Sequence, residues 1–258
     1  MSAQPAEHSD SSLSATRNWL TSLAYDTTYF FSAAALTFGW SLRVKGVHHV
    51  PKRGRALFIA NHQSFLDPLV TGLAIHRRIW FLARKTLFSN RWFGKWISMI
   101  NAVPVDQEGI GIEGLRLVLK LLKEEQGVLV FPEGQRTPTG EMMPFQPGVH
   151  FLVKRAMAPV IPVAISGAYD AWPRWRRFPI PAPLFLPDTH RTIAVVVGSP
   201  IPPTRLIHLS REKLRSDLFH EIKRLQKQAD RLRRPASLPR PPERPPTDLD
   251  QSYHHPVS

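Results

Sequence analysis

The 258-residue chain contains no cysteine. This excludes disulfide scaffolds, thiolate nucleophiles, Cys-ligated zinc and iron–sulfur clusters, and leaves the redox compartment open. Acidic residues are scarce: 20 Asp+Glu stand against 34 Lys+Arg, a formal charge of +14 with a pI near 10.7. Such a balance suits an anionic partner, whether nucleic acid, an acidic membrane face or a phosphorylated substrate. Zinc-finger and RNP signatures are missing, so the charge is the sole argument for nucleic acid. A Gly-x-Ser-x-Gly nucleophile elbow is also missing. So is any apolar run of the roughly 20 residues that a spanning helix needs. The nearest approach is 27–42 (TTYFFSAAALTFGWSL), sixteen uncharged residues flanked by Arg17 and Arg43, with Trp19 and Trp40 near the ends.

What is present divides the chain. Residues 1–16 are small and polar and lack Lys and Arg, which predicts a loose N-terminus and no secretory or transit signal. The stretch 17–42 reads as a membrane-associating helical segment, lying in the interface or dipping into one leaflet; the competing reading is a buried helix pair. From 43 to 234 strand and helix signals alternate. Strand-like runs occupy 55–61, 78–83, 101–105, 127–131, 158–165 and 192–198. Helical patterns occupy 68–75, 92–100 and 112–123, the last with Leu115, Val118, Leu119 and Leu122 as its apolar stripe. The fold class expected is α/β, a mixed, mostly buried central sheet covered by helices, because the apolar runs are continuous rather than alternating. Residues 210–234 form an amphipathic helix with Ser210 as N-cap and Leu214, Leu218, Ile222 and Leu225 as its stripe. Seven of the last 24 residues, 235–258, are Pro, which predicts an extended, disordered tail.

Two constellations carry candidate chemistry, each just after a buried strand, where α/β proteins place their sites. The first is Asn61-His62-Gln63-Ser64-Phe65-Leu66-Asp67-Pro68. His is the usual general base near neutral pH, and a carboxylate fixes its tautomer. On one ideal helix, residues five apart stand about 140° apart, so His62 and Asp67 meet only if His62 lies in the turn before a helix that Asp67 enters. The plain alternative is a polar turn with an N-capping Asp. The second is Phe131-Pro132-Glu133-Gly134-Gln135-Arg136-Thr137, where Gly134 permits a tight turn and Arg136 can fork onto a phosphate; alone it also reads as an ordinary turn.

Together these blocks resemble the glycerolipid acyltransferase family, specifically its 1-acylglycerol-3-phosphate acyltransferases. NHQSFLD matches the family's His-x4-Asp block and FPEGQRT its FPEGTRS block. AVPVDQ (102–107) matches the block between them, and VIPVAI (160–165), with Pro162, the one that follows. FLARKTL (81–87) and PFQPG (144–148) match flanking stretches. The resemblance runs from about 43 to 205. It implies transfer of an acyl chain from acyl-CoA or an acyl carrier protein thioester to lysophosphatidic acid. His62 and Asp67 would be catalytic, with Glu133, Gly134, Arg136, Thr137 and Lys85 at the acceptor and Pro162 shaping the cleft. It implies no cofactor and no metal; the expected partners are membrane phospholipids and the acyl carrier, with no nucleic acid, at the cytoplasmic face of the inner membrane.

Two departures qualify that expectation. Gln107 stands where the family usually has an Arg for the acceptor's phosphate, and Gln146 and Pro147 stand where it often has Lys. An amide does not replace a guanidinium. Either phosphate binding leans on Arg136, Lys85 and Arg84, or the acceptor is another lysophospholipid, which is the alternative. A non-catalytic basic membrane- or nucleic-acid-binding protein is the remote one. The segment 172–178 (WPRWRRF) interleaves rings and cations as membrane-interface loops do; the same composition suits stacking on single-stranded nucleic acid, and the plain alternative is a solvated loop with a few packed rings. The adjacent pairs His48-His49 and His254-His255 point apart on regular elements and make poor metal sites.

Overall fold

The structure is a computed structural model that describes residues 26–105, 111–188 and 190–239. The expectations for 1–16, for 17–25, for Gln107, for His254-His255 and for the tail beyond 239 lie outside the described residues.

Seven strands form one sheet: β1 Arg43–Lys45, β2 Ala56–Ala60, β3 Ile79–Arg84, β4 Ala102–Val105, β5 Gly127–Val130, β6 Val160–Ser166 and β7 Ala194–Val197. Their spatial order is β1-β7-β6-β2-β5-β3-β4. All neighbours run parallel except β6 and β7. The expected mixed sheet is thus present, with β2, β5, β6 and β7 buried at every residue, as their continuous apolar runs require. The edges are guarded. Arg43 and Lys45 of the three-residue β1 face solvent, and Pro104 interrupts the donor row of β4. The sequence pattern missed β1, whose three residues are too few and too polar to register as a run.

Helices cover both faces. On one lie α4 Ile112–Lys123, α5 Gly148–Ala156, α7 Pro203–Leu206 and α8 Arg211–Leu232; on the other lie α1 (26–40), α2 Asp67–Ile75, α3 Arg91–Met99 and α6 Ala168–Ala171. The predicted stripe of α8 is fully buried, and Ser210 caps it by accepting a bond from the Lys213 N–H at 3.2 Å. The stripe of α4 is shifted: Val118, Leu121 and Leu122 are buried, while Leu115 and Leu119 pack at the margin. The reason is that α4 packs on α5 as well as on the sheet, which turns Leu121 inward.

The first residues of the Pro-rich tail are not loose. The backbone N–H groups of Ser237 and Leu238 both donate to the Asp188 carbonyl, at 2.9 and 3.0 Å. Among the described residues no helix is long and apolar enough to cross a membrane.

Candidate active site

The carboxyl ends of β2 and β5, neighbours at the centre of the sheet, carry the site. After β2 the chain curls around one carboxylate oxygen before α2 begins. Asp67, the first residue of α2, is fully buried, and its Oδ2 accepts three bonds: from His62 Nδ1 at 2.8 Å, Gln63 N at 2.5 Å and Ser64 N at 2.7 Å. Pro68 at the second helical position needs no N–H partner there, which fits the tight entry. This is the geometry that the five-residue spacing demanded: His62 in the turn, Asp67 in the helix. Because Oδ2 acts as an acceptor, Nδ1 of His62 carries the proton and Nε2 is left with its lone pair. The imidazole stacks on Phe131, with ring centroids 4.1 Å apart and planes 16° from parallel.

The register of the parallel pair explains the rest. Ile59 lies opposite Val130, so three residues further on His62 comes beside Glu133. Glu133 is fully buried and accepts the His62 backbone N–H at 2.7 Å on Oε1 and the Met143 N–H at 2.9 Å on Oε2. On the other side of His62, its carbonyl accepts the Thr137 N–H at 2.9 Å. The Thr137 hydroxyl, also buried, accepts from Thr139 N at 3.3 Å and Gly140 N at 3.1 Å. These two residues were expected at the acceptor. In the structure the Glu133 carboxyl and the Thr137 N–H hold the peptide of His62, and the Thr137 hydroxyl holds the turn at Thr139 and Gly140. Burial pushes the Glu133 carboxyl up to about 8, against the two N–H bonds that favour its charge. Asn61 bridges β2 to β6 through paired bonds with Ile165, at 2.9 and 2.8 Å.

His62 opens onto a cavity of about 450 Å³. Its floor is apolar, built from Phe81, Ala83 and Leu129 of the sheet and Trp96, Ile97 and Ile100 at α3. Its mouth is polar: Arg84, Gly134, Gln135 and Arg136 line it beside His62. Gly134 holds a left-handed φ of 79° and donates its N–H to the Phe131 carbonyl at 3.1 Å, closing the expected turn. The Arg136 guanidinium lies 3.5 Å above the centre of the Phe65 ring, a flat seat for a fork of donors.

Of the two remaining cations expected there, Arg84 reaches the cavity. Lys85 is exposed on the 3-10 turn that follows β3 and lies outside the lining. Pro162 is likewise misplaced by the sequence reading. It faces α8 with Val160 and Ala164, on the far side of the sheet, and sits where β7 has ended, its carbonyl accepting the Gly198 N–H at 2.8 Å. Gln146, in a position noted for its missing Lys, braces the turn through N–H to the Pro132 carbonyl at 2.7 Å. Two participants escaped sequence reasoning: Phe131 under the imidazole and the α3 wall. The first was available from the β2–β5 register, the second only from packing. Among the described residues no cluster of potential metal ligands occurs.

Three comparisons bear on this geometry. A family model described as Acyltransferase matches residues 41–166. A 1-acyl-sn-glycerol-3-phosphate acyltransferase of Bacillus subtilis (strain 168) is 29% identical over 213 residues, which is 79% of this chain and 100% of that protein. The 1-acyl-sn-glycerol-3-phosphate acyltransferase alpha of Mus musculus is 32% identical over 155 residues, 57% of this chain and 53% of that one. The chain therefore spans the whole of the bacterial relative and about half the length of the mammalian one. The crystal structure of the 1-acyl-sn-glycerophosphate (LPA) acyltransferase, PlsC, from Thermotoga maritima superimposes with a TM-score of 0.65 at 24% identity, covering 84% of this chain and 83% of that chain. At that identity the likeness is one of fold.

Proposed function

Because the family model described as Acyltransferase matches the residues that carry this site, we propose that the chain moves a fatty acyl group from acyl-CoA or acyl carrier protein to lysophosphatidic acid, giving phosphatidic acid. The observation that carries this reading is the His62–Asp67 pair at the mouth of an apolar cavity flanked by Arg84 and Arg136. The cavity lies within the range of small-molecule pockets, about 300–1,000 Å³, and its apolar floor suits the acyl chain. The polar rim suits a phosphate, with Arg136 as the fork.

In the proposed reaction His62 Nε2 takes the proton of the acceptor's free hydroxyl as that oxygen attacks the thioester carbonyl. Asp67 stabilises the resulting imidazolium. The C–S bond then breaks, the ester is formed, and the leaving thiolate recovers the proton from His62. A covalent enzyme intermediate is not needed, which accords with a chain without Cys or a nucleophile elbow. The donor carrier is a substrate, and direct transfer asks for no resident cofactor. The working place proposed is the cytoplasmic face of an anionic membrane, supported by the outward Phe30, Phe31 and Phe38 of α1.

A second reading keeps the chemistry and changes the acceptor to another lysophospholipid. It is favoured by Gln146, which spends its polar groups on the turn where the family often has a cation. Purified protein incubated with each thioester and a panel of lysophospholipids tests both. Transfer to lysophosphatidic acid that survives His62→Ala would refute the mechanism, and a preferred acceptor without a phosphomonoester would favour the second reading.

A further inference from the structure

The described surface carries an apolar tip that the proposed chemistry does not use. Leu184, Phe185 and Leu186 are consecutive and exposed, Phe185 to 78%. They lie between Pro183 and Pro187, which stiffens the backbone that presents them. The tip is a built element rather than a trailing loop. Leu184 N–H donates to the Phe38 carbonyl at 3.1 Å and Ala182 N–H to the Gly39 carbonyl at 2.7 Å, so the tip is bonded to the C-terminal turn of α1. From behind, Arg234 donates to the carbonyls of Leu184 and Leu186 at 2.5 and 2.7 Å. Apolar side chains are thus held outward at the cost of fixing the backbone behind them.

The neighbourhood says what covers them. Residues 173–187 contain Arg174, Arg176 and Arg177 and no acidic residue, and the next acid, Asp188, is buried. Arg176 and Arg177 lie over the rings of Trp175 and Phe178, at 5.0 and 5.4 Å, and Phe178 is itself exposed. Through Phe38 the tip continues into the outer stripe of α1, so that helix is apolar on both faces: Tyr29, Ala33 and Leu36 inward, Phe30, Phe31 and Phe38 outward. At its other end the segment begins at Trp172, which lines the cavity. Rings and aliphatic side chains fringed by cations match the boundary of an anionic bilayer, with the side chains among acyl carbons and the guanidinium groups on headgroup phosphates.

We propose that the 172–187 segment is a second membrane-contacting element, which inserts Leu184, Phe185 and Leu186 into an anionic phospholipid bilayer beside α1 and sets the cavity mouth against the lipid surface. The inference rests on the acyltransferase reading for why a mouth should face lipid, but its test does not. The full-length chain has no Cys, so Phe185→Cys carries a single environment-sensitive fluorophore. With phosphatidylcholine vesicles containing phosphatidylglycerol, the emission shifts to the blue and is quenched by doxyl-labelled lipid. Without the anionic lipid the shift is much smaller. The triple variant Leu184→Ser/Phe185→Ser/Leu186→Ser co-floats with anionic vesicles about tenfold less than wild type. Its circular dichroism melt and its acyl transfer in detergent micelles are unchanged. A silent fluorophore on protein that floats, or full flotation of the triple variant, overturns the proposal. A blue shift that rises with protein concentration in the absence of vesicles also overturns it, and marks a self-association face instead. Failure of wild type to transfer acyl groups in micelles would refute the functional reading while leaving the vesicle result to decide this one.

Discussion

The two faces of the sheet are finished differently. On the α8 side Leu214, Leu218, Ile222 and Leu225 pack on β6 and β7, and a Cβ added at Gly198 would collide with Leu225 and Pro162. On the α2 side the same apolar composition encloses a void of about 450 Å³ between β3, β5 and α3. Equal hydrophobicity therefore serves two ends. One face stabilises the domain by dispersion and exclusion of water, and the other withholds that packing so that a ligand can supply it. The His62–Asp67 pair stands at the rim of the face left open.

The largest effect that separates the faces is chemical. His62→Ala is expected to lower kcat for acyl transfer by about a thousandfold with little change in melting temperature, measured on thioester hydrolysis and ester formation together. Next comes packing. Ile222→Ala on the filled face should cost about 3 kcal/mol in urea unfolding, the sum of lost transfer energy and a new cavity. Ile97→Ala on the open face should cost about 2 kcal/mol, the transfer term alone, because its removal only enlarges an existing space. Equal costs at the two sites would erase the distinction.

A third prediction concerns Glu133, which sits between the faces. Its folded carboxyl is raised to about 8 by burial, so the folded chain keeps a proton that the unfolded chain releases from the ordinary glutamate range upward. Stability from this group should then fall as pH rises to about 8 and level off above. The slope is at most about 1.4 kcal/mol per pH unit. Urea unfolding of wild type and Glu133→Gln at several pH values should show a flatter profile in the variant. Assayed above pH 8, the variant should also lose about tenfold in kcat, because there the wild-type carboxylate accepts both backbone N–H bonds while the amide accepts only one and releases the peptide of His62. Filling the open face with Ile97→Trp should cut use of long acyl chains relative to short ones by about tenfold, read from a chain-length series. The smallest effect lies on the filled side: Ser210→Ala should cost about 1 kcal/mol through the lost cap of α8.

The blocks were legible wherever meaning is local. Asp67 closing on His62 follows from a five-residue loop and a helix start, and the stripe of α8 follows from period 3.6. Meaning that crosses strands was harder to read. Glu133 and Thr137 have the chemistry of ligand-binding residues, but their position opposite His62 in the β2–β5 register turns them inward to the backbone. Lys85 and Pro162 stand away from the cavity lining for a simpler reason. A residue's neighbourhood in sequence does not say which side of a strand or turn it faces, and of the expected cations Arg84 and Lys85 the cavity is lined by Arg84. The tip at 184–186 left no pattern, since three apolar residues among prolines read as a buried turn as readily as an exposed one.

The pairing of β1 bears on synthesis. Arg43 lies opposite Ala194, a partner 151 residues further along the chain. At about 5–20 residues per second of elongation, β1 waits on the order of ten seconds or more after leaving the ribosome before its strand exists. Contacts of such long range form late. During that interval α1, which precedes β1 directly, lacks part of its cover from the sheet, and the bilayer contact proposed above would shelter its apolar faces. The order of the chain thus makes the proposed membrane contact available before completion of the fold. Ribosome-bound chains truncated before 194 should co-sediment with anionic vesicles at least as well as the finished protein.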